Sequence, residues 1–451
     1  MPARGDDWLT SFDSPYTGAL VLVKQSLTLG SLAVCSAALA VLVPLYVATR
    51  LGVGVETDAF FASAAMPQLV FLVMSTSLAY VLVPLLAASE DEPTFRNDAW
   101  VFFLGITLLF SLIGIILFIT ARYWVLVLVP GFTPAGKALA LRLTKIQLIS
   151  MVFNASIVVL WSISQARLRF IWVELSAVVA NVLSLFFLFW SFPRYGVAAA
   201  PWTIVLNNGL KIAFLTPILG RWHWPRWRPL VMRETWRRIR PFLFAAPYYR
   251  ADPLVDRFLT SMAGAGGLSL VYMGQQIFAS ANQIINRAIS VPMVPLLAIE
   301  AKAGRYRNYR GIYHKRLRSM AALTGLGCLL LLAIGRPVLH LAIGHGGVTV
   351  ENVRTLWWIM MALAGVFVGN ALGQITAASF YAMGDTKTPT RFFMVGYTIF
   401  VPVKIIAFLH YGIIGLALTS SLYFLASFMI QWIVLEKMTS PARLSAHPAQ
   451  L

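Results

Sequence analysis

One apolar stretch of the sequence carries polar residues spaced as a binding surface would need them. Across 268–299, Ser269, Tyr272, Gln276, Gln283, Arg287 and Ser290 fall within about 40° of one line on a continuous helix turning roughly 100° per residue. Gln275, Asn282 and Asn286 form a second line beside it, and the opposite face is apolar. An isolated charge in hydrocarbon is costly, so Arg287 requires a partner or a cavity. A guanidinium pairs well with phosphate oxygens, and the amides of Gln276, Gln283 and Asn286 can meet hydroxyl groups. The same side chains can also hydrogen-bond one packed helix to another, so binding and structural readings both stand.

Further polar residues interrupt other apolar runs. Lys404 lies near the middle of 391–411, beside Pro402, and is a candidate to line a path together with Arg287. Thr203, Asn207 and Lys211 recur every four residues and share a helical face, although Lys211 is near enough to the end of its run to snorkel. Asp58 opens a run and reads as a surface helix cap, while Asp256 and Arg257 can neutralise one another. Asn154 and Asn181 read as interhelical links. The sequence shows no P-loop, dinucleotide fingerprint or zinc-protease motif, and no nucleophile–base pair at a legible spacing. Cys35 and Cys328 sit in apolar runs without metal-ligand spacing. Neither covalent catalysis nor a cofactor is expected.

The elements that hold these residues are membrane helices. Hydrophobic residues make up 59% of the 451 and charged residues only 12%, about half the share of a soluble domain. Mean hydropathy is +0.75. Apolar runs of the roughly 20 residues needed to span a bilayer occur at 20–48, 58–87, 99–128, 138–161, 172–192, 197–220, 239–263, 268–299, 317–343, 353–383, 391–411 and 413–435. The fold class is therefore an all-α polytopic membrane transporter of about twelve helices. The 221–240 connection is rich in arginine, and a second basic connection runs from Lys302 to Arg318. The positive-inside rule puts both in the cytoplasm, with both termini. The net charge of +19 then faces anionic membrane lipids rather than nucleic acid, with Trp222, Trp224, Trp227 and Trp236 suited to the interface.

Val83-Pro84-Leu85-Leu86-Ala87 recurs as Val294-Pro295-Leu296-Leu297-Ala298, at equivalent places in two sets of six runs. This predicts an N-terminal half over 1–220, a basic linker over 221–240, a C-terminal half over 241–437 and a tail over 438–451. Two halves of like orientation imply a pseudo-two-fold axis along the membrane normal and a site between them.

Several motifs resemble a known family. Thr57-Asp58-Ala59-Phe60-Phe61 with Pro67, Val255-Asp256-Arg257-Phe258-Leu259-Thr260-Ser261, the run from Tyr272 to Pro295, and Phe380-Tyr381-Ala382-Met383-Gly384-Asp385-Thr386-Lys387-Thr388-Pro389 occur in the order found in MurJ/MviN-type flippases. These belong to the multidrug/oligosaccharidyl-lipid/polysaccharide exporter superfamily. The resemblance implies a 6+6 alternating-access transporter of the bacterial cytoplasmic membrane. It gives Asp58, Asp256, Arg257, Asp385, Thr386 and Pro389 family-motif or gating roles. It implies a polyprenyl-diphosphate-linked saccharide as cargo, moved from the inner to the outer leaflet, cell-envelope biosynthesis proteins as partners, and a monomer as the working unit. Lipid II transport for peptidoglycan synthesis and export of small molecules remain as alternatives. Ala37, Val43, Phe71 and Gln275 stand where the family has arginines, so Arg287, Lys404 and Lys211 are the candidates for a relocated diphosphate-binding surface.

Overall fold

The computed structural model describes residues 15–440 except 88, 90, 168, 223, 230–232, 234, 238, 239, 241–247, 249 and 386. Among these, every regular element is helical. In chain order they are α1 (Pro15–Leu51), α2 (Val55–Ser63), α3 (Ala65–Ala87), α4 (Glu92–Leu128), α5 (Pro134–Ala166), α6 (Phe170–Tyr195), α7 (Ala199–Leu215), α8 (Asp252–Ser261), α9 (Gly267–Lys302), α10 (Tyr306–Ile343), α11 (Val350–Ala382) and α12 (Lys387–Met438).

Seven helical segments among the described residues are long and apolar enough to cross a membrane. Two of these, Phe170–Leu219 with 50 residues and Lys387–Met438 with 52, are each long enough for two crossings. They turn at Gly196 (φ 55) and Gly412 (φ 60), where the left-handed backbone favours glycine. The outward faces of the spans expose large apolar side chains, among them Ile119 of α4, Phe186 of α6 and Leu409 of α12. Hydrocarbon, not water, is the solvent that suits those faces. The chain is a multi-pass membrane protein.

The run expected over 58–87 is broken. α2 ends at Ser63 and α3 starts afresh at Ala65, because Pro67 has no N–H to donate to the Ser63 carbonyl. In the 239–263 run the described helix is α8 alone, and 241–247 lie outside the described residues. Helix starts elsewhere follow local chemistry. Asp91 and Thr133 accept backbone N–H bonds from Thr94 (2.8 Å) and Gly136 (3.2 Å), each just ahead of a proline in the first turn. Those Thr94 bonds hold the Asp91 carboxyl below its ordinary range.

Helices α1–α7 pack among themselves, as do α9–α12, and the two bundles meet where α1 and α2 lie against α9 and where α3 and α4 lie against α8. One end of this junction is closed backbone to backbone. Gly347 N–H donates to the Thr49 carbonyl at 2.7 Å. A Cβ on Gly346 would lie 2.2 Å from that oxygen, and one on Gly266 would lie 2.4 Å from Val53 Cγ1. At the opposite end the basic connection folds back on α4. Arg228 pairs with Asp98 at 3.2 Å, Asn97 bonds both the N–H and the carbonyl of Arg226, and Trp222 meets Trp100 edge-on.

Candidate functional site: two polar cavities and a buried ion cluster

The closed end of the junction is fastened by Asp58. It is 2% exposed and accepts the Gly266 N–H at 2.6 Å, the Ser269 N–H at 2.7 Å and the Ser269 hydroxyl. Asp58 is therefore not the surface cap of its own helix that its position suggests. Gly54 occupies the N-cap of α2, and Asp58 instead caps α9 of the other bundle, where the helix dipole favours a carboxylate.

Beside this junction the first bundle holds a cavity of about 290 Å³, lined from α1, α2, α3, α5, α6, α7 and α9. Thr203, Asn207 and Lys211 all face it, as their four-residue spacing predicts, and so do Tyr272 and Gln276 of α9. Asn207 donates to Asn181 Oδ1 (2.8 Å) and Ser184 Oγ (2.9 Å), while Asn181 donates to the Ser36 carbonyl at 3.0 Å. Those asparagines tie α1, α6 and α7 together. Gln147, 3% exposed, also lines this cavity, and its Nε2 has no hydrogen-bond partner among the described residues.

Arg257 stands immediately behind the cavity wall. Its Nη2 donates to Gln68 Oε1 at 2.9 Å, and its guanidinium carbon lies 5.0 Å from the centre of the Tyr272 ring. Gln68 and Tyr272 both line the cavity. The Arg257 side chain is 6% exposed, and its Nε and Nη1 have no hydrogen-bond partner among the described residues. Two desolvated donors of a cation are thus held at the meeting of α3, α8 and α9. An anion entering the cavity would find charge there that water does not screen.

Asp256 acts on Arg257 only through space and makes its direct contacts elsewhere. It accepts from Lys404 at 2.9 Å and from Gln275 at 2.7 Å, and Lys404 also reaches Asp252 at 2.6 Å. Lys404 is 1% exposed and lines neither this cavity nor the one in the second bundle. The expectation of a path-lining cation is corrected accordingly: its ammonium is taken up by two carboxylates from α8. Asp252 was missed at sequence level. Its spacing of four from Asp256 puts both carboxylates on one helical face, a signal that one buried cation serves both.

The second bundle holds a cavity of about 470 Å³ between α9, α11 and α12, with Asn286 and Ser290 on its α9 wall. The stripe read on α9 is therefore divided. Ser269 serves the junction, Tyr272 and Gln276 face the first cavity, Asn286 and Ser290 face the second, and Gln283 is exposed. The side chain of Arg287 lies outside the described residues, as does Thr386. At the remaining motif, Asp385 N–H returns to the Phe380 carbonyl at 3.0 Å and Gly384 adopts φ 81, which closes α11. Asp385 Oδ1 then accepts from the Lys387 and Thr388 N–H groups at 3.0 Å, which starts α12 with Pro389 in its first turn.

Known proteins resemble this chain over most of its length. The family model described as "Lipid II flippase MurJ" matches residues 47–447. The chain belongs to the MurJ family. Relatives include the probable lipid II flippases MurJ of Buchnera aphidicola, 20% identical over 90% of this chain and 82% of that protein, and of Vibrio cholerae, 23% identical over 89% and 80%. Among solved structures, lipid II flippase MurJ in an inward closed conformation superposes with a TM-score of 0.77, at 17% identity over 90% of this chain and 87% of that one. An inward-facing MATE-family multidrug resistance transporter gives 0.73, at 14% identity over 91% and 100%. The fold is that of the wider exporter superfamily.

Val43 and Phe71, at positions where the resemblance expects arginine, line the first cavity with apolar surface. Gln275, at another, is committed to Asp256. Positive charge at this site comes instead from Lys211 in the wall and Arg257 behind it.

Proposed function

We propose that this chain is a lipid II flippase, carrying a polyprenyl-diphosphate-linked saccharide across the bacterial cytoplasmic membrane without changing it covalently. The family match over residues 47–447 supports lipid II over other saccharide-linked cargoes. The observation that carries the mechanism is the donor group at the first cavity. Lys211 and Gln147 face the space, and the unpaired Nε and Nη1 of Arg257 stand behind Gln68 and Tyr272. In this reading the diphosphate displaces Gln68, and Arg257 and Lys211 engage its oxygens while Gln276 and Gln147 add neutral donors. Asn286 of α9, in the wall of the second cavity, is a further contact in this reading.

An apolar groove of about 590 Å³ supports a place for the lipid chain. It is lined by Met66, Trp124, Val127, Val255, Phe258 and Ile405 from α3, α4, α8 and α12. Val255 and Phe258 flank the Asp256–Arg257 pair, so one helix carries both apolar groove surface and the headgroup cation. Alternating access then consists of releasing the Asp58 end of the junction while the basic end closes. Both termini and the 221–240 connection are cytoplasmic in this scheme, and the working unit is one chain. The test is lipid II binding to purified protein in nanodiscs, comparing wild type with Arg257→Gln. Loss of about 1.5–3 kcal/mol, the value of a hydrogen bond to a charged group, is expected. Unchanged affinity removes Arg257 from the site, and binding of small cationic drugs with none of lipid II supports an exporter.

A further inference from the structure

The second-bundle cavity has its own chemistry, and it differs from that of the first. Gln431 is fully buried and donates through Nε2 to Ser427 at 3.1 Å, but its Oε1 has no partner among the described residues. Ser290, 4% exposed on the facing helix, likewise has a hydroxyl without a partner. Both residues line the cavity, so its walls on α9 and α12 each hold an unpaired, desolvated polar oxygen. Buried polar atoms in folded proteins are nearly always paired, which makes two in one cavity informative.

The remaining walls define what would pair with them. Asn370 and Gln374 of α11 hydrogen-bond one another at 3.3 Å and present amides beside Asn286. Phe424 and Phe428 contribute aromatic surface. Gly373 leaves the floor open, since a Cβ there would meet no heavy atom within 4 Å. Arg250 also stands in the wall, with Nη1 donating to the Leu72 carbonyl of the first bundle at 3.3 Å. At about 470 Å³ the space lies within the roughly 300–1,000 Å³ of small-molecule sites. An amide acceptor, a hydroxyl, several neutral amides and flanking phenyl rings suit a ligand with many hydroxyl or acetamido groups and apolar ring faces. They suit a diphosphate less well, because the Gln431 oxygen can only accept a hydrogen bond and the Arg250 guanidinium is partly engaged by the Leu72 carbonyl.

We infer that this cavity is a saccharide subsite, holding a sugar of the cargo headgroup while the diphosphate is engaged in the first bundle. The inference rests on the lipid-linked-saccharide reading above. It adds a division of labour between the bundles, in which charge is recognised by one and hydroxyl pattern by the other. Such a division lets the headgroup bridge the bundles and respond to their relative motion.

Binding of two probes to protein in nanodiscs tests it: lipid II, and undecaprenyl diphosphate, which has the lipid and phosphates but no sugar. Wild type is expected to bind lipid II at least about tenfold more tightly. Gly373→Leu fills the floor, and Gln431→Leu removes the orphan acceptor at similar volume. Each should abolish that preference and leave undecaprenyl diphosphate binding within about twofold of wild type. Thermal unfolding confirms that each variant is folded, and the two variants fail independently if either is not. Retention of the lipid II preference in both folded variants overturns the subsite but leaves the flippase reading standing. Wild type that binds neither probe overturns that reading, and the subsite with it.

Discussion

Replacing Lys404 by Met should destabilise the protein more than it alters any cavity. The substitution keeps a long unbranched side chain and removes the ammonium that stands 2.6 Å from Asp252 and 2.9 Å from Asp256. The lysine side chain is 2% exposed and those of the two carboxylates 18% and 6%, so water replaces little of the lost charge. Breaking one buried ion pair costs about 3–5 kcal/mol, and here two carboxylates lose their common partner, which points to the upper part of that range. Chemical unfolding in detergent micelles measures it. Asp256→Asn in the Lys404→Met background should recover part of the loss, with a coupling energy of about 1–3 kcal/mol between the two sites. A Lys404→Met protein within about 0.5 kcal/mol of wild type would refute the argument, as would strictly additive effects.

Other expectations follow from the junction and the topology. Asp58→Asn removes one acceptor oxygen from the α9 N-terminus and should weaken the closed end by about 1–3 kcal/mol, seen as faster labelling of a cysteine introduced at Val53; unchanged labelling contradicts the clasp. Gly346→Ala combines φ 69 with a Cβ 2.2 Å from the Thr49 carbonyl, so it should cost about 1–3 kcal/mol in unfolding experiments, and a neutral result would mean that the contact is not closed in the membrane. Trp224, 83% exposed in the basic connection, should become reactive to an impermeant thiol reagent as Trp224→Cys only after permeabilisation, and labelling of intact cells would invert the topology.

The elements were largely legible in the sequence, and the pairings were not. Apolar run length located most of the membrane helices, and the structure shows the long segments turning back at Gly196 and Gly412. The face shared by Thr203, Asn207 and Lys211 was visible because helical spacing is a local property. By contrast, Lys404 finds its carboxylates 152 and 148 residues upstream, and Asp58 finds Gly266 208 residues downstream. No local period encodes such contacts. A lysine bound for a cavity and one bound for a buried ion pair look alike in sequence, and only the fold distinguishes them. The same limit applied to α9, whose single stripe divides between two cavities because its two ends face different bundles.

The central claim is that the chain alone moves a lipid-linked saccharide, with the Arg257 region as its diphosphate contact. Its most direct test is proteoliposomes holding fluorescent lipid II in both leaflets, scored by how much becomes accessible to an external enzyme that cleaves the headgroup. Wild type should bring the initially protected fraction to the outside with the headgroup chemically intact, and Arg257→Gln should slow this about tenfold or more while remaining folded. Protection of the inner-leaflet lipid II that persists with folded wild-type protein, as in protein-free vesicles, would contradict the account.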